Sequence, residues 1–192
     1  MIKLLMATRN RGKLLELKKL LDGMPVRIVT LDDLPGMKPV EETGNTFLEN
    51  AVIKAKTLAE ESSLLTLADD SGLEVDALGG EPGVHSARFA GDPPDDYRTT
   101  LKLLELLKGI PPERRTARFV SLIAIAAPKG PVHTAEGRCE GIVLEEFKGT
   151  GGFGYDPLFY VPSLQKTFAE LTLEEKNLVS HRGKAFRKAA AI

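Results

Sequence analysis

Two apolar runs, Leu64 to Ala68 and Leu73 to Leu78, flank the stretch Asp69-Asp70-Ser71-Gly72, and no other feature narrows the fold as much. The pattern reads as a strand that ends in charge. Carboxylates at a strand end can hold a divalent cation and, through it, activate water against a phosphate ester. Asp-Asp-Ser-Gly is also ordinary turn chemistry, so a solvated turn is the competing account. The rest of the chain has to decide between them.

The 192 residues, 42% hydrophobic and 28% charged, suit one soluble globular domain spanning residues 1–192 with a sizeable core. The 26 basic and 27 acidic side chains nearly cancel, so no global field favours nucleic acid or an anionic membrane, and any polyanion site must be local. Cys139 is the only cysteine, which excludes an internal disulfide and a Cys-rich metal site and suits a reducing cytosol; it reads as a buried small hydrophobe. Met1 to Met6 lacks the longer apolar region of a signal peptide, and no run approaches membrane-spanning length. The expectation is a cytoplasmic protein that begins with a strand.

That strand, Ile2 to Ala7, leads through Thr8-Arg9-Asn10-Arg11-Gly12-Lys13 into a helical pattern with Leu14, Leu17, Leu20 and Leu21 on one side. Strand, polar loop and helix form a phosphate-binding arrangement. The helix N-terminus leaves N–H groups unpaired and carries positive dipole, and Asn10 and Lys13 add a donor and a full charge there. The motif is not a Walker A loop, and a plain N-cap at Asn10 with a solvated Lys13 competes with the phosphate reading.

After a short strand, Arg27 to Thr30, the loop Glu41-Glu42-Thr43-Gly44-Asn45 precedes Thr46-x-x-Glu49, a capping box that predicts a helix from Phe47 to about Ser62 with Phe47, Ala51, Ala55 and Leu58 inward. Lys54 flanks that buried face and can reach an anion. Either Glu42 or Glu41 could join Asp70 around a metal.

The segment from Gly79 to Phe89 reads as a tight loop in which His85 is structural. Asp92-Pro93 is expected to cap a helix with Leu101, Leu104 and Leu107 on its packed face, ended by Gly109 and Pro111-Pro112. Phe119 to Ala126, Val132 to Glu136 and Gly141 to Leu144 read as separate strands around a turn at Pro128 to Pro131. Arg114, Arg115 and Arg118 read as surface charge, with phosphate contact as the alternative. The elements give a central antiparallel or mixed sheet flanked by helices.

In Gly149-Thr150-Gly151-Gly152-Phe153-Gly154-Tyr155-Asp156-Pro157, the glycines let backbone approach a planar ligand on which Phe153 or Tyr155 stacks. Further on, a second capping box, Thr172-x-x-Glu175, precedes Lys176, and Ser180-His181-Arg182-Gly183-Lys184 opens a last helix through Ala189. Lys176, His181 and Arg182 form a second possible anion or carbonyl site, or a basic helix face.

Taken together in this order, the segments 8–13, 42–51, 68–73, 79–83, 149–157, Glu175-Lys176 and Ser180-His181-Arg182 closely resemble the Ham1/inosine triphosphate pyrophosphatase family, and they span nearly the whole chain. The resemblance implies a two-lobed α/β fold with a long mixed β-sheet flanked by helices, an active site in the cleft between the lobes, and a homodimer. It implies magnesium-dependent hydrolysis of ITP, dITP or XTP to the monophosphate and pyrophosphate. Thr8, Asn10 and Lys13 would hold the triphosphate, Asp70 would be proton acceptor and metal ligand, and Ser71 would contact substrate. Phe153, Gly154, Tyr155, Asp156, Lys176, His181 and Arg182 would form the base and sugar end. At two points the chain departs from the pattern: Arg9 stands where the family often has a small residue, and Ile192 comes somewhat early for the last helix.

Magnesium takes one or two carboxylates plus phosphate oxygens and water, a count that Glu42 and Asp70 supply, with Asp69 as the alternative second ligand. A related Maf-like pyrophosphatase would share the chemistry with another base pocket, and a nucleotide-sensing module would bind without hydrolysis.

Overall fold

The computed structural model describes residues 1–191; Ile192 lies outside them. Seven strands form one mixed sheet in the order β2-β1-β3-β4-β5-β6-β7. They are β1 (Ile2–Met6), β2 (Val26–Thr30), β3 (Leu65–Val75), β4 (Thr116–Ala126), β5 (Val132–Val143), β6 (Phe159–Val161) and β7 (Lys166–Thr167). β1 runs parallel to β2 and to β3, with Leu4 opposite Ile28 and Met6 opposite Leu67, whereas β6 is antiparallel to β5 and β7. Among the described residues five α-helices accompany the sheet: α1 (Arg11–Leu20), α2 (Phe47–Ser62), α3 (Asp96–Leu106), α4 (Leu173–Val179) and α5 (His181–Ala189).

The chain divides into two compact units, one of Met1–Asp70, Ser121–Gly137 and the segment from His181 on, the other of Ser71–Val120 and Arg138–Ser180. In the first, Leu4 and Met6 of β1, Leu67 of β3 and Ile123 of β4 form a core with Leu17 of α1 and Phe186 of α5. α5 lies close on its strand because Gly137 has no side chain: a Cβ there would strike the backbone of His181 and Ala185. In the second unit the core is aromatic. The Phe119 ring lies 4.7 Å from that of Phe159, edge to face, and 5.6 Å from that of Phe168, stacked, with Leu103 and Leu107 packed around them.

α2 has the predicted bounds, and its capping box is formed: Thr46 Oγ1 accepts from Glu49 N at 3.1 Å, and Glu49 Oε2 accepts from Thr46 N at 3.2 Å. The second box, Thr172 with Glu175, caps α4 in the same way.

Three local expectations are corrected. β3 does not end at Ala68; it runs on through Asp69, Asp70 and Gly72 to Val75, because both carboxylates are buried inside the strand with cationic partners. The two strands expected between Val132 and Leu144 are one, in which Ala135, Gly137, Cys139, Gly141 and Val143 alternate on the buried face. The glycines hid that period because they are buried for close approach and not for apolar area; a Cβ on Gly141 would come within 2.6 Å of the Phe159 ring. The α3 cap is Asp95, whose carboxylate accepts from Arg98 N at 2.9 Å, and not Asp92-Pro93. Of the expected packed face, Leu107 is buried and Leu104 packs against the core, with Leu103 buried beside them, whereas Leu101 is exposed.

Candidate active site

The first unit holds Thr8, Asn10, Lys13, Glu42, Lys54 and Asp70. β1 ends at Met6, and the next loop is shaped by its own side chains: Thr8 Oγ1 accepts from Asn10 N at 3.1 Å, and Asn10 Oδ1 accepts from Lys13 N at 2.9 Å, capping α1. The cap and the phosphate reading are thus compatible, since the cap is what fixes the helix end that offers N–H groups to an anion. Arg9 turns to the Met37 carbonyl at 3.3 Å.

Lys13 Nζ lies 2.8 Å from Asp69 Oδ2. Asp69 also accepts from Ser121 Oγ at 2.5 Å, and Arg182 Nη2 stands 3.4 Å from the same carboxylate. Arg182 in turn pairs with Glu16 of α1, and all three charged groups of this chain are buried. Burial alone would raise the Asp69 pKa, but the charges of Arg182 and Lys13 overcome it and hold the carboxyl well below the ordinary 3.8.

Asp70 has different surroundings, because neighbouring residues of a strand project to opposite sides. Lys54 Nζ is 3.5 Å from Asp70 Oδ1, donates to Glu42 Oε1 at 2.7 Å, and donates to the Asp69 carbonyl at 2.9 Å. Asp70 Oδ2 is buried and has no hydrogen-bond partner among the described residues. Here burial dominates and raises the Asp70 pKa, although Lys54 and Lys13 oppose it. Two adjacent carboxylates are therefore driven apart, Asp69 towards permanent ionisation and Asp70 towards basicity, the arrangement by which one site runs acid and base chemistry together.

Glu42 is held by the helix it precedes. Gly44 N donates to Asn50 Oδ1 at 2.8 Å, Asn45 N donates to Glu49 Oε2 at 2.7 Å, and a Cβ on Gly44 would come within 2.6 Å of that of Glu49. Lys54 is two turns further along the same helix, so α2 sets both ends of the Glu42–Lys54 pair. Glu41 is exposed. Among the described residues no three His, Cys, Asp or Glu side chains converge as a preformed metal centre. Glu42 with Asp70, one of whose oxygens is open, nevertheless fits magnesium, which completes its octahedron with water and phosphate oxygens.

The second unit holds the aromatic-glycine loop, residues 149–157. Asp156, 2% exposed, accepts from Phe153 N at 2.9 Å and pairs with the ammonium of Lys176. That ammonium sits 4.8 Å from the Phe153 ring centroid and 5.3 Å from that of Phe168. Gly152 is required twice over: its φ is +72°, and a Cβ would run into the Asp156 carboxylate. Gly154 N donates to Asp96 Oδ2 at 2.8 Å, and the Tyr155 hydroxyl donates to the Ser86 carbonyl at 2.9 Å. The Tyr155 ring is buried in the aromatic core, so Phe153, half-buried, is the ring the loop presents.

Of the three donors Lys176, His181 and Arg182, the first and last have partners in their own units. Lys176 pairs with Asp156 in the second unit, while Arg182 lies with Glu16 and Asp69 in the first; His181, also buried, opens α5 in the first, and Ser71 follows Asp70 at the start of the second. Arg115 is not surface charge: it is buried and donates to the carbonyls of Val143 at 2.9 Å and Leu144 at 3.1 Å. Arg118 pairs with Asp76 and Glu140, and His85 is exposed. Glu16, Ser121 and Asp96 escaped sequence reasoning. A hydroxyl in the apolar run Phe119-Val120-Ser121-Leu122-Ile123 was a usable signal; a glutamate on a helix was not.

A capped helix N-terminus and two carboxylates of opposite tuning on a strand of a mixed α/β sheet form an arrangement that can take an anion and a cation together. The sequence matches the model of the Ham1 family over residues 4–192, and the chain belongs to that family. It is 59% identical to a protein of Desulforamulus reducens across all of this chain and 95% of that one, and 51% identical to a protein of Geobacter sulfurreducens across 96% and 93%. Both relatives are named dITP/XTP pyrophosphatase. Among solved structures, a Ham1 protein from Coxiella burnetii superimposes with a TM-score of 0.89 at 40% identity, covering 100% of this chain and 98% of that one. The Staphylococcus aureus Ham1 protein gives 0.86 at 38%, covering 98% and 96%.

Proposed function

We propose that this protein hydrolyses the unusual purine nucleotides dITP, ITP and XTP to the monophosphate and pyrophosphate, with Mg²⁺ as the cofactor. The observation that carries the reading is the open Oδ2 of a buried, pKa-raised Asp70 next to an Asp69 kept ionised by Arg182 and Lys13. The names of the close relatives support the substrate class.

Glu42 and Asp70 would hold the ion, which supplies Lewis-acid polarisation and charge neutralisation at the phosphates. Thr8, Asn10 and the α1 N-terminus orient the triphosphate. Asp70 takes the proton of the water that attacks phosphorus at the α–β linkage. Lys13 neutralises the departing pyrophosphate, and no covalent nucleophile takes part.

Phe153 offers a face to the purine, and Lys176, steadied by Asp156, donates to O6. Adenine has an amino group there in place of an acceptor, and each buried donor left unmatched costs about 1–3 kcal/mol. Ser71, Gly154, Tyr155, His181 and Arg182 complete or support the substrate contacts.

Steady-state kcat/KM for ITP, dITP, XTP, GTP and ATP with Mg²⁺ tests this. The three 6-oxopurine substrates ITP, dITP and XTP are expected to exceed ATP by at least about tenfold, the discrimination one unmatched hydrogen bond provides. Equal values across the panel, or no pyrophosphate from any of them, would overturn the reading. A homodimeric, cytoplasmic enzyme is the assembly that the family resemblance supports. Sedimentation velocity at micromolar protein is expected to give the mass of a dimer, and a single species of 20.9 kDa would count against it.

A further inference from the structure

We propose that Lys54 is a resident counter-ion: its ammonium fills the cation position between Glu42 and Asp70 in the metal-free protein and yields it when a divalent ion binds there. The inference rests on the reading that Glu42 and Asp70 hold the ion.

Three oxygens of separate origin surround the ammonium: a loop carboxylate, Glu42 Oε1, at 2.7 Å; a strand carbonyl, Asp69 O, at 2.9 Å; and a strand carboxylate, Asp70 Oδ1, at 3.5 Å. An ammonium has three donors, and this one faces three acceptors. The side chain is 10% exposed and rises from the face of α2 that buries Ala51, Ala55 and Leu58. A lysine merely solvated at the edge of a helix shows none of these features.

The fourth feature is what the ammonium does not reach. Asp70 Oδ2, in a residue 5% exposed, is buried with no hydrogen-bond partner among the described residues. A carboxylate oxygen in that condition is costly unless something else takes it up. The group is thus a cation site partly satisfied by a monovalent side chain, with one oxygen still open.

Charge decides when the ammonium leaves. Glu42 and Asp70 together carry two negative charges, and Lys54 already offsets one of them. A divalent ion entering alone would leave an excess of positive charge in a poorly hydrated place, where such repulsion is felt strongly. A triphosphate entering with the ion reverses the balance and offers the displaced ammonium new acceptors. Lys54 therefore makes the metal site weak without nucleotide and strong with it, while keeping the two carboxylates assembled in the interval.

The test is Mg²⁺ binding without nucleotide, by titration calorimetry on the full chain, for wild type, Lys54→Met and Lys54→Arg. Removing the charge is expected to tighten Mg²⁺ by about tenfold or more, as a unit charge a few ångströms away implies, while arginine leaves it near the wild-type value. Tightening that is absent or reversed in Lys54→Met overturns the proposal, as does the lack of any Mg²⁺ binding to either protein.

Should Lys54→Met fail to fold, the wild type serves. With ε-¹³C-lysine labelling, the Lys54 resonance, assigned by its loss in Lys54→Arg, is expected to move as Mg²⁺ saturates the site. A resonance that stays in place at saturation overturns the displacement. Pyrophosphate release from dITP by the wild type, measured in parallel, separates the two readings. Hydrolysis with unchanged Mg²⁺ affinity in Lys54→Met removes only the counter-ion role, whereas neither hydrolysis nor Mg²⁺ binding removes the hydrolase reading as well.

Discussion

Asp70→Asn is expected to lower Mg²⁺-dependent pyrophosphate release from dITP by about 10²- to 10⁴-fold, the contribution of a positioned general base. The fold should survive, because asparagine has the same shape. Burial raises the Asp70 pKa, so ionising it costs more in the native state than in the unfolded chain, and the stability the raised pKa contributes at low pH is lost as pH rises through the folded value. At neutral pH the uncharged amide removes that cost, while Lys54 keeps Glu42 and the Asp69 carbonyl as partners. The variant should therefore melt at the wild-type temperature or above while nearly inactive. Activity within tenfold of wild type would sink the assignment of Asp70 as base.

Arg182→Met should show the opposite pattern, with stability lost first. It would leave Glu16 and Asp69, buried carboxylates, without their shared cation, a loss of about 3–5 kcal/mol for breaking a buried pair. The sign with pH comes from Asp69. Its folded-state pKa is depressed below 3.8, so the stability it contributes is present above that value and is lost as pH falls through the lower, folded value. Without Arg182 the depression is smaller and the contribution shrinks, so the acid loss of the variant is shallower and its deficit against the wild type narrows as pH falls. Urea midpoints measured from neutral to acid pH check both parts. A midpoint change worth less than about 1 kcal/mol at neutral pH would mean that Glu16 and Asp69 find other partners, as exposed pairs readily do.

The two variants separate residues that are adjacent or nearly so in role. Asp70→Asn reads chemistry at an oxygen with no hydrogen-bond partner among the described residues, and Arg182→Met reads the charge balance that keeps Asp69 ionised beside Lys13. A site in which both lost only activity, or both lost only stability, would not be organised as the geometry indicates.

How far each part was legible depends on the range of the interactions behind it. The bounds of α2 could be read because Thr46 and Glu49 cap it within three residues, and the cap of α4 for the same reason. The loop from Thr8 to Lys13 was legible as a helix start because the side chains of Thr8 and Asn10 accept from the backbone N–H groups of Asn10 and Lys13. The α3 cap was misplaced because the run from Asp92 to Asp96 offers several carboxylates, and only one of them meets an N–H in the folded turn. β5 was split because Gly137 and Gly141 signal a break locally, whereas their reason for being there is the close approach of α5 and Phe159.

The amino-acid sequence by itself determined the capping boxes of α2 and α4, the strand, loop and helix around Thr8 to Lys13, the segments that mark the family, and the presence of two carboxylates in a β segment. All of these rest on contacts between near neighbours or on periodicity. Only the tertiary structure decided that Asp69 is held by Arg182, 113 residues away, that Arg182 is shared with Glu16, 166 residues away, and that Ser121, 52 residues away, completes the set. Only it left Asp70 with an oxygen that has no hydrogen-bond partner among the described residues and placed Lys54 between that carboxylate and Glu42. A pKa depends on which charges and how much water surround a group, and no spacing along a chain encodes either until the chain has folded.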